Sequence, residues 1–141
     1  MILLDTNIVS EFMGAAPHPN VAAWLRAQHT SELALAAITA GEIRYGLALL
    51  PAGRHRASLA LAFDRFVSEI IGHRVEPFDG AAAETFGAMM AARHRSGQSL
   101  DLSDLLIAAT ALTRGHTVAT RNTPDFEGSG VTLINPFTYD A

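Results

Sequence analysis

Cysteine is absent from the 141 residues, which excludes disulfides, thiolate catalysis and cysteine-ligated zinc. Lysine is absent too, so all ten basic side chains are arginine. The plain reading is a compositional bias. Its chemical consequence is that every permanent cation is a planar fork suited to phosphate or carboxylate. An excess of positive charge is also missing: the net charge is −4, which offers no general footprint for nucleic acid. No uncharged apolar stretch approaches the length of a membrane span. The start, Met1-Ile2-Leu3-Leu4-Asp5, carries neither the basic segment nor the cleavage site of a signal peptide. The expectation is a cytoplasmic protein with no membrane partner. The six histidines are scattered, with no pair at the close helical spacing of a zinc site.

What is present is a core-forming composition, 49% hydrophobic and 17% charged. The length fits one domain over 1–141. Apolar runs at Ile2–Leu4 and Leu33–Ile38 read as short buried strands, Arg74–Phe78 is a candidate short strand, and His116–Ala119 and Val131–Ile134 read as the last two strands. Between them lie helical patterns: Thr6–Phe12, Asn20–His29, Thr39–Leu50, Ala57–Ile71, Gly80–Arg95 and Asp101–Arg114. Pro51–Arg56 reads as a basic turn. Gly97 and Gly115 stand where helix C-caps belong. Strands alternating with helices predict an α/β fold, a parallel sheet covered on both faces. In such a sheet the site lies beyond the carboxyl ends of the strands. That rule selects Asp5, the start of the Thr39 helix, and Thr120-Arg121-Asn122, where the sequence turns polar.

The acids at those places each have a structural reading. Asp5 suits an N-cap. Thr39-Ala40-Gly41-Glu42 has the spacing of a capping box. Asp101-Leu102-Ser103-Asp104 repeats the cap-to-N3 spacing, in front of a helix that is apolar nearly all round and therefore predicted to be buried. Asn122-Thr123-Pro124-Asp125 suits a turn. As a set they mean more. Asp5, Glu42, Asp104 and the Asn122/Asp125 loop converge on one sheet edge, and like charges there drive protons back onto the carboxylates unless a cation is present. An oxygen-only set suits Mg²⁺ or Mn²⁺, which can serve phosphodiester hydrolysis.

Four motifs run in order along the chain: Ile2-Leu3-Leu4-Asp5-Thr6-Asn7, Ala37-Ile38-Thr39-Ala40-Gly41-Glu42-Ile43-Arg44-Tyr45-Gly46, Asp104-Leu105-Leu106-Ile107-Ala108-Ala109-Thr110-Ala111, and Thr120-Arg121-Asn122 through Asp125-Phe126. The ending Leu133-Ile134-Asn135-Pro136-Phe137 completes them. With these the chain resembles the PIN-domain ribonucleases, specifically the VapC/FitB-like toxins of bacterial toxin–antitoxin pairs.

The resemblance implies a five-stranded parallel sheet between helices. It also implies a metal-dependent endoribonuclease inhibited by a cognate VapB-like antitoxin. Asp5, Glu42 and Asp104 match the three acids that hold Mg²⁺ or Mn²⁺. Asn122 matches a position that is aspartate in some members, and Asp125 is a candidate to substitute as a ligand, through water. Asp101 stands where relatives often carry an uncharged residue and is expected to act as a cap first. Thr6, Asn7 and Asn122 are expected to orient water or phosphate, Asn122 as a catalytic residue, with Thr120 lining the same pocket to position substrate and Arg121 or Arg44 contacting RNA phosphate. Arg54-His55-Arg56 is a candidate contact for RNA or antitoxin. Phe86, Met89 and Met90 are expected in the core or in a dimer seam. The resemblance further implies a homodimer, a heterotetramer or larger assembly with the antitoxin, and operator DNA reached only through the antitoxin. The alternative is a binding module that acts mainly in such a complex on DNA, with little nuclease activity. A DNA-directed nuclease of the same fold is disfavoured, because the short chain has no segment to spare for DNA.

Overall fold

The computed structural model describes residues 1–99 and 101–141. Five short strands form the centre: β1 (Ile2–Leu4), β2 (Leu33–Ala36), β3 (Val75–Glu76), β4 (Thr117–Ala119) and β5 (Leu133–Ile134). All pair in parallel, in the order β3-β2-β1-β4-β5. Among the described residues seven α-helices surround them: α1 (Thr6–Glu11), α2 (Pro19–Arg26), α3 (Ala37–Leu49), α4 (Arg54–Arg65), α5 (Gly80–Ser96), α6 (Leu102–Arg114) and α7 (Thr123–Phe126). The expected α/β fold with a five-stranded parallel sheet is what forms.

Side chains alternate across the strands, and the two faces bury different partners. Leu4, Leu33, Leu35 and Ala119 face α1–α4, packing with Ile8, Val9, Val21, Trp24, Ile43, Leu47 and Phe63. Leu3, Ala34, Ala36 and Val118 face the other way, onto Ile107, Ala108 and Ala111 of α6. Alanine on both sides of that second contact lets α6 lie close to the sheet. Phe126 and Met89 complete this core, so the Met89 expectation is met, while Met90 stays on the surface.

Several boundaries differ from the sequence reading, and two differences matter. The Leu33–Ile38 run divides: the strand ends at Ala36 and α3 begins at Ala37. Thr39 is therefore inside the helix and not its cap. The N-cap is Ala36, which forms no side-chain cap hydrogen bond. Thr39 is buried, and its Oγ1 has no hydrogen-bond partner among the described residues. The capping-box reading fails because the sheet partner of β2 ends its ladder at Ala36, two residues earlier than the apolar run suggests. Likewise Arg54-His55-Arg56 is the exposed first turn of α4, not a loop. Smaller shifts follow the caps. Pro19 opens α2 at its first turn, where its missing N–H costs nothing. Asn122-Thr123-Pro124-Asp125 winds into α7.

The strand order changes direction between β1 and β4. Connections leaving these neighbours run to opposite sides, which opens a crevice at their carboxyl ends. Asp5 follows β1 and Thr120 follows β4, so both stand at that crevice.

Candidate active site

Four segments that are distant in sequence supply a cleft of about 370 Å³ lined by Asp5, Thr6, Asn7, Glu42, Asp101, Ser103, Asp104, Asn122 and Asp125. Five of those nine side chains are carboxylates.

Asp5 is the anchor. It is only 5% exposed. Its backbone N–H donates to Ala119 O at 2.9 Å, which extends the β1–β4 ladder by one bond and fixes where the side chain leaves the strand. Oδ1 accepts from the Thr6 N–H at 2.8 Å, capping α1 as expected. Oδ2 accepts from Thr120 Oγ1 at 2.7 Å and from Asn7 Nδ2 at 3.3 Å. A buried carboxylate needs such donors, because water no longer satisfies it. Thr120 Oγ1 accepts in turn from the Asn122 N–H at 3.0 Å, and Asn7 Oδ1 accepts from the Arg121 N–H at 3.1 Å. The polar residues after β1 and β4 thus form one lattice that holds Asp5 in place.

Glu42 reaches the cleft from the second turn of α3. Because Thr39 is not a cap, Glu42 is not drawn back into a capping box. Instead it accepts from Thr6 Oγ1 at 3.4 Å. Burial, followed by the Asp5 charge, raises its pKa above the usual carboxylate range, against hydrogen bonds from Thr6 and Ser103.

Asp104 enters from the first turn of α6. Asp101 caps that helix, its Oδ1 accepting from the Asp104 N–H at 3.1 Å, as the spacing predicts. Burial pushes the Asp104 carboxyl up to about 7, and the charges of Asp101, Asp5, Asp125 and Glu42 push in the same direction. The repulsion expected from the sequence therefore falls mainly on this residue.

Asp125 and Asn122 border the cleft from α7 and its cap. Arg93 on α5 braces this rim, donating through Nη2 to the backbone carbonyls of Asp125 (3.1 Å) and Glu127 (3.2 Å). Three of the sequence-selected residues, Thr120, Arg121 and Arg44, do not line the cleft. Thr120 is fully buried behind Asp5. Arg121 lies beside the cleft with its guanidinium carbon 4.7 Å from the centre of the Phe137 ring. Arg44 pairs with Asp64 and lies over Phe63. Ser103, Arg93 and Phe137 were not selected from the sequence. Ser103 was legible as the residue between two paired acids and Phe137 stands in the ending motif with no site role assigned, whereas Arg93 carries no local signal.

Among the described residues, no three His, Asp or Glu side chains are already drawn into a closed ligand cage. The acids line an open cleft with room for an ion and its waters instead. That arrangement fits Mg²⁺ or Mn²⁺, which bind through one or two carboxylates and keep several waters. An all-oxygen donor set, with protons forced onto Asp104 when no cation offsets the charge, is the chemistry such an ion relieves.

A family model described as PIN domain matches residues 2–127. The chain is 42% identical over 137 residues to "VapC ribonuclease Y4jK" of Sinorhizobium fredii, covering 97% of this chain and 98% of that one. It is 35% identical over 137 residues to "Toxin FitB" of Neisseria gonorrhoeae, covering 97% and 99%. Among solved structures, one titled "Structure of FitAB bound to IR36 DNA fragment" superposes with a TM-score of 0.89 at 34% identity, covering 100% of this chain and 99% of that one.

Proposed function

We propose that this chain, which belongs to the PIN-domain family and to its VapC/FitB toxin branch, is an Mg²⁺- or Mn²⁺-dependent endoribonuclease. It acts in the cytoplasm as the toxin of a toxin–antitoxin pair. The observation that carries this reading is the single cleft bounded by Asp5, Glu42, Asp101, Asp104 and Asp125. The name of the ribonuclease relative supports RNA as the substrate class.

Asp5, Glu42 and Asp104 are the residues that would hold the cation, with Asp125 reaching it through water. A divalent ion bound there supplies an activated water and offsets charge on the phosphodiester under attack. The chain's own groups do the rest. Thr120 and Asn7 fix Asp5 Oδ2. Thr6 donates to Glu42 and orients it. Asn122 presents an uncharged amide at the rim, a donor for phosphate oxygen where a further carboxylate would repel it. A cation held there would compete with the Asp104 proton, so its binding would strengthen as pH rises to about 7 and level off above it.

The partner is a VapB-like antitoxin, and the assembly is a homodimer that joins the antitoxin as a heterotetramer or larger. Operator DNA is reached through the antitoxin, since this chain has a net charge of −4. The DNA-bound FitAB complex supports this arrangement. A role confined to DNA binding is less well served by the chain, because a scaffold has no use for five carboxylates in one cleft.

The test is cleavage of total cellular RNA by purified protein with Mg²⁺, with Mn²⁺ and with EDTA, beside Asp5→Asn. Discrete products that require both the metal and Asp5 are expected. Intact RNA after incubation with folded, antitoxin-free protein in either metal would refute the nuclease assignment.

A further inference from the structure

A cleft dominated by carboxylates must still receive a polyanion, so the strand needs a cation outside the acid ring. The arginines near the site differ in their availability. Arg44 is paired with Asp64. Arg93 donates to two carbonyls and shares its hollow with Asp101, Asp125 and Glu127. Arg121 forms no ion pair among the described residues, and its residue is exposed.

Arg121 is also held in place. Its backbone N–H is bonded to Asn7, which touches Asp5, and the next residue, Asn122, lines the cleft. One face of its guanidinium is covered by Phe137 at 4.7 Å. Phe137 is itself fixed from several sides. Its N–H donates to Asn135 Oδ1 at 3.0 Å, its carbonyl accepts from Asn20 Nδ2 at 2.8 Å, and its ring lies 5.3 Å from that of His18. A stacked guanidinium keeps its N–H edge free, and that edge matches two phosphate oxygens.

We infer that Arg121, braced on the Phe137 ring, is a clamp for the RNA phosphate flanking the scissile bond, and that Phe137 is its positioning residue. This rests on the ribonuclease reading above. The ending Asn135-Pro136-Phe137 thereby gains a role, since it builds the shelf on which Arg121 is set beside the cleft. A planar fork on a ring is not replaced by lysine, whose ammonium is a mobile point charge.

Binding is measured separately from cleavage, by fluorescence anisotropy, in full-length Asp104→Asn protein with Mg²⁺. The probe is a labelled single-stranded RNA of random sequence, about 20 nucleotides long. Adding Arg121→Ala is expected to weaken binding about tenfold. It should also lower the slope of log affinity against log salt by about 0.7, the contribution of one phosphate on a single strand. Phe137→Leu keeps apolar volume and is expected to weaken binding about threefold alone and to add nothing to Arg121→Ala. Unchanged affinity and slope in Arg121→Ala overturn the clamp and leave the ribonuclease reading standing. Full recovery with Arg121→Lys overturns the stacked fork, and a full-sized Phe137→Leu effect in both backgrounds overturns the positioning role. A parent that binds no RNA, with a wild type that cuts none, overturns both readings together.

Discussion

Replacing Asp104 by asparagine removes a charge that the folded protein resists. In the unfolded chain an aspartate loses its proton near 3.8, whereas in the cleft it does so at about 7. The fold therefore favours the protonated form, and ionisation destabilises it. That penalty is absent below about pH 4, grows between pH 4 and 7, and is complete above pH 7. A rise of this size corresponds to a ceiling of roughly 4 kcal/mol. The carboxyl is only half buried, and solvent screening lowers the figure to about 1–2 kcal/mol. Asparagine keeps the shape and cannot ionise. In EDTA at pH 8, Asp104→Asn is thus expected to be more stable than the parent by that amount, with a Tm higher by about 3–6 °C. At pH 4 the two should coincide. Urea titrations followed by the fluorescence of Trp24, the one tryptophan and a buried one, read this directly. Mg²⁺ should reverse the order, since it stabilises the form that binds it. An equal difference at pH 4 and pH 8, or a variant less stable at pH 8, would refute the crowded-carboxylate argument on which the metal assignment leans.

Three further outcomes are expected. Thr39→Val keeps the shape of a buried side chain whose hydroxyl has no partner, so it should raise stability by about 1 kcal/mol in a urea titration. Asp101→Ser retains a capping oxygen for the Asp104 N–H but removes the largest charge contribution acting on Asp104. The Asp104 titration midpoint, followed by carboxyl NMR, should fall while stability stays within about 0.5 kcal/mol. Thr120→Val deprives buried Asp5 Oδ2 of its 2.7 Å donor. It should destabilise the protein by about 2 kcal/mol in thermal denaturation and slow RNA cleavage, because Asp5 is then held only by Asn7 and the Thr6 N–H.

Much of this was legible in the sequence. Strands with acid or amide at their carboxyl ends placed the crevice, and Asp101 capped α6 as its spacing required. The strand–helix order pointed to the parallel sheet. The capping box misled because it is a local pattern, whereas the end of β2 is set by its pairing with β3, a partner some forty residues away. The same limit hid Arg93 and the contacts of Phe137. Arg93 meets the Asp125 loop across 32 residues, and Phe137 meets Asn20 across 117. No window on the sequence holds both partners. The identity of the acids could be read locally, but the groups that orient them are brought in by tertiary structure.

The strand order also sets when the cleft comes into being during synthesis. β1 emerges first, yet its neighbour β4 is nearly the last strand made, and Thr120, which fixes Asp5, lies 115 residues downstream of it. A nascent chain that has reached α5 has neither Asp104 nor the Asn122 rim. Pairings this distant in sequence close late and slowly. The ribosome must therefore release almost the entire polypeptide before the acids of the cleft are brought together. A copy that ends with α5 lacks both Asp104 and the Asn122 rim, so it holds two of the cleft's five carboxylates and no closed cleft.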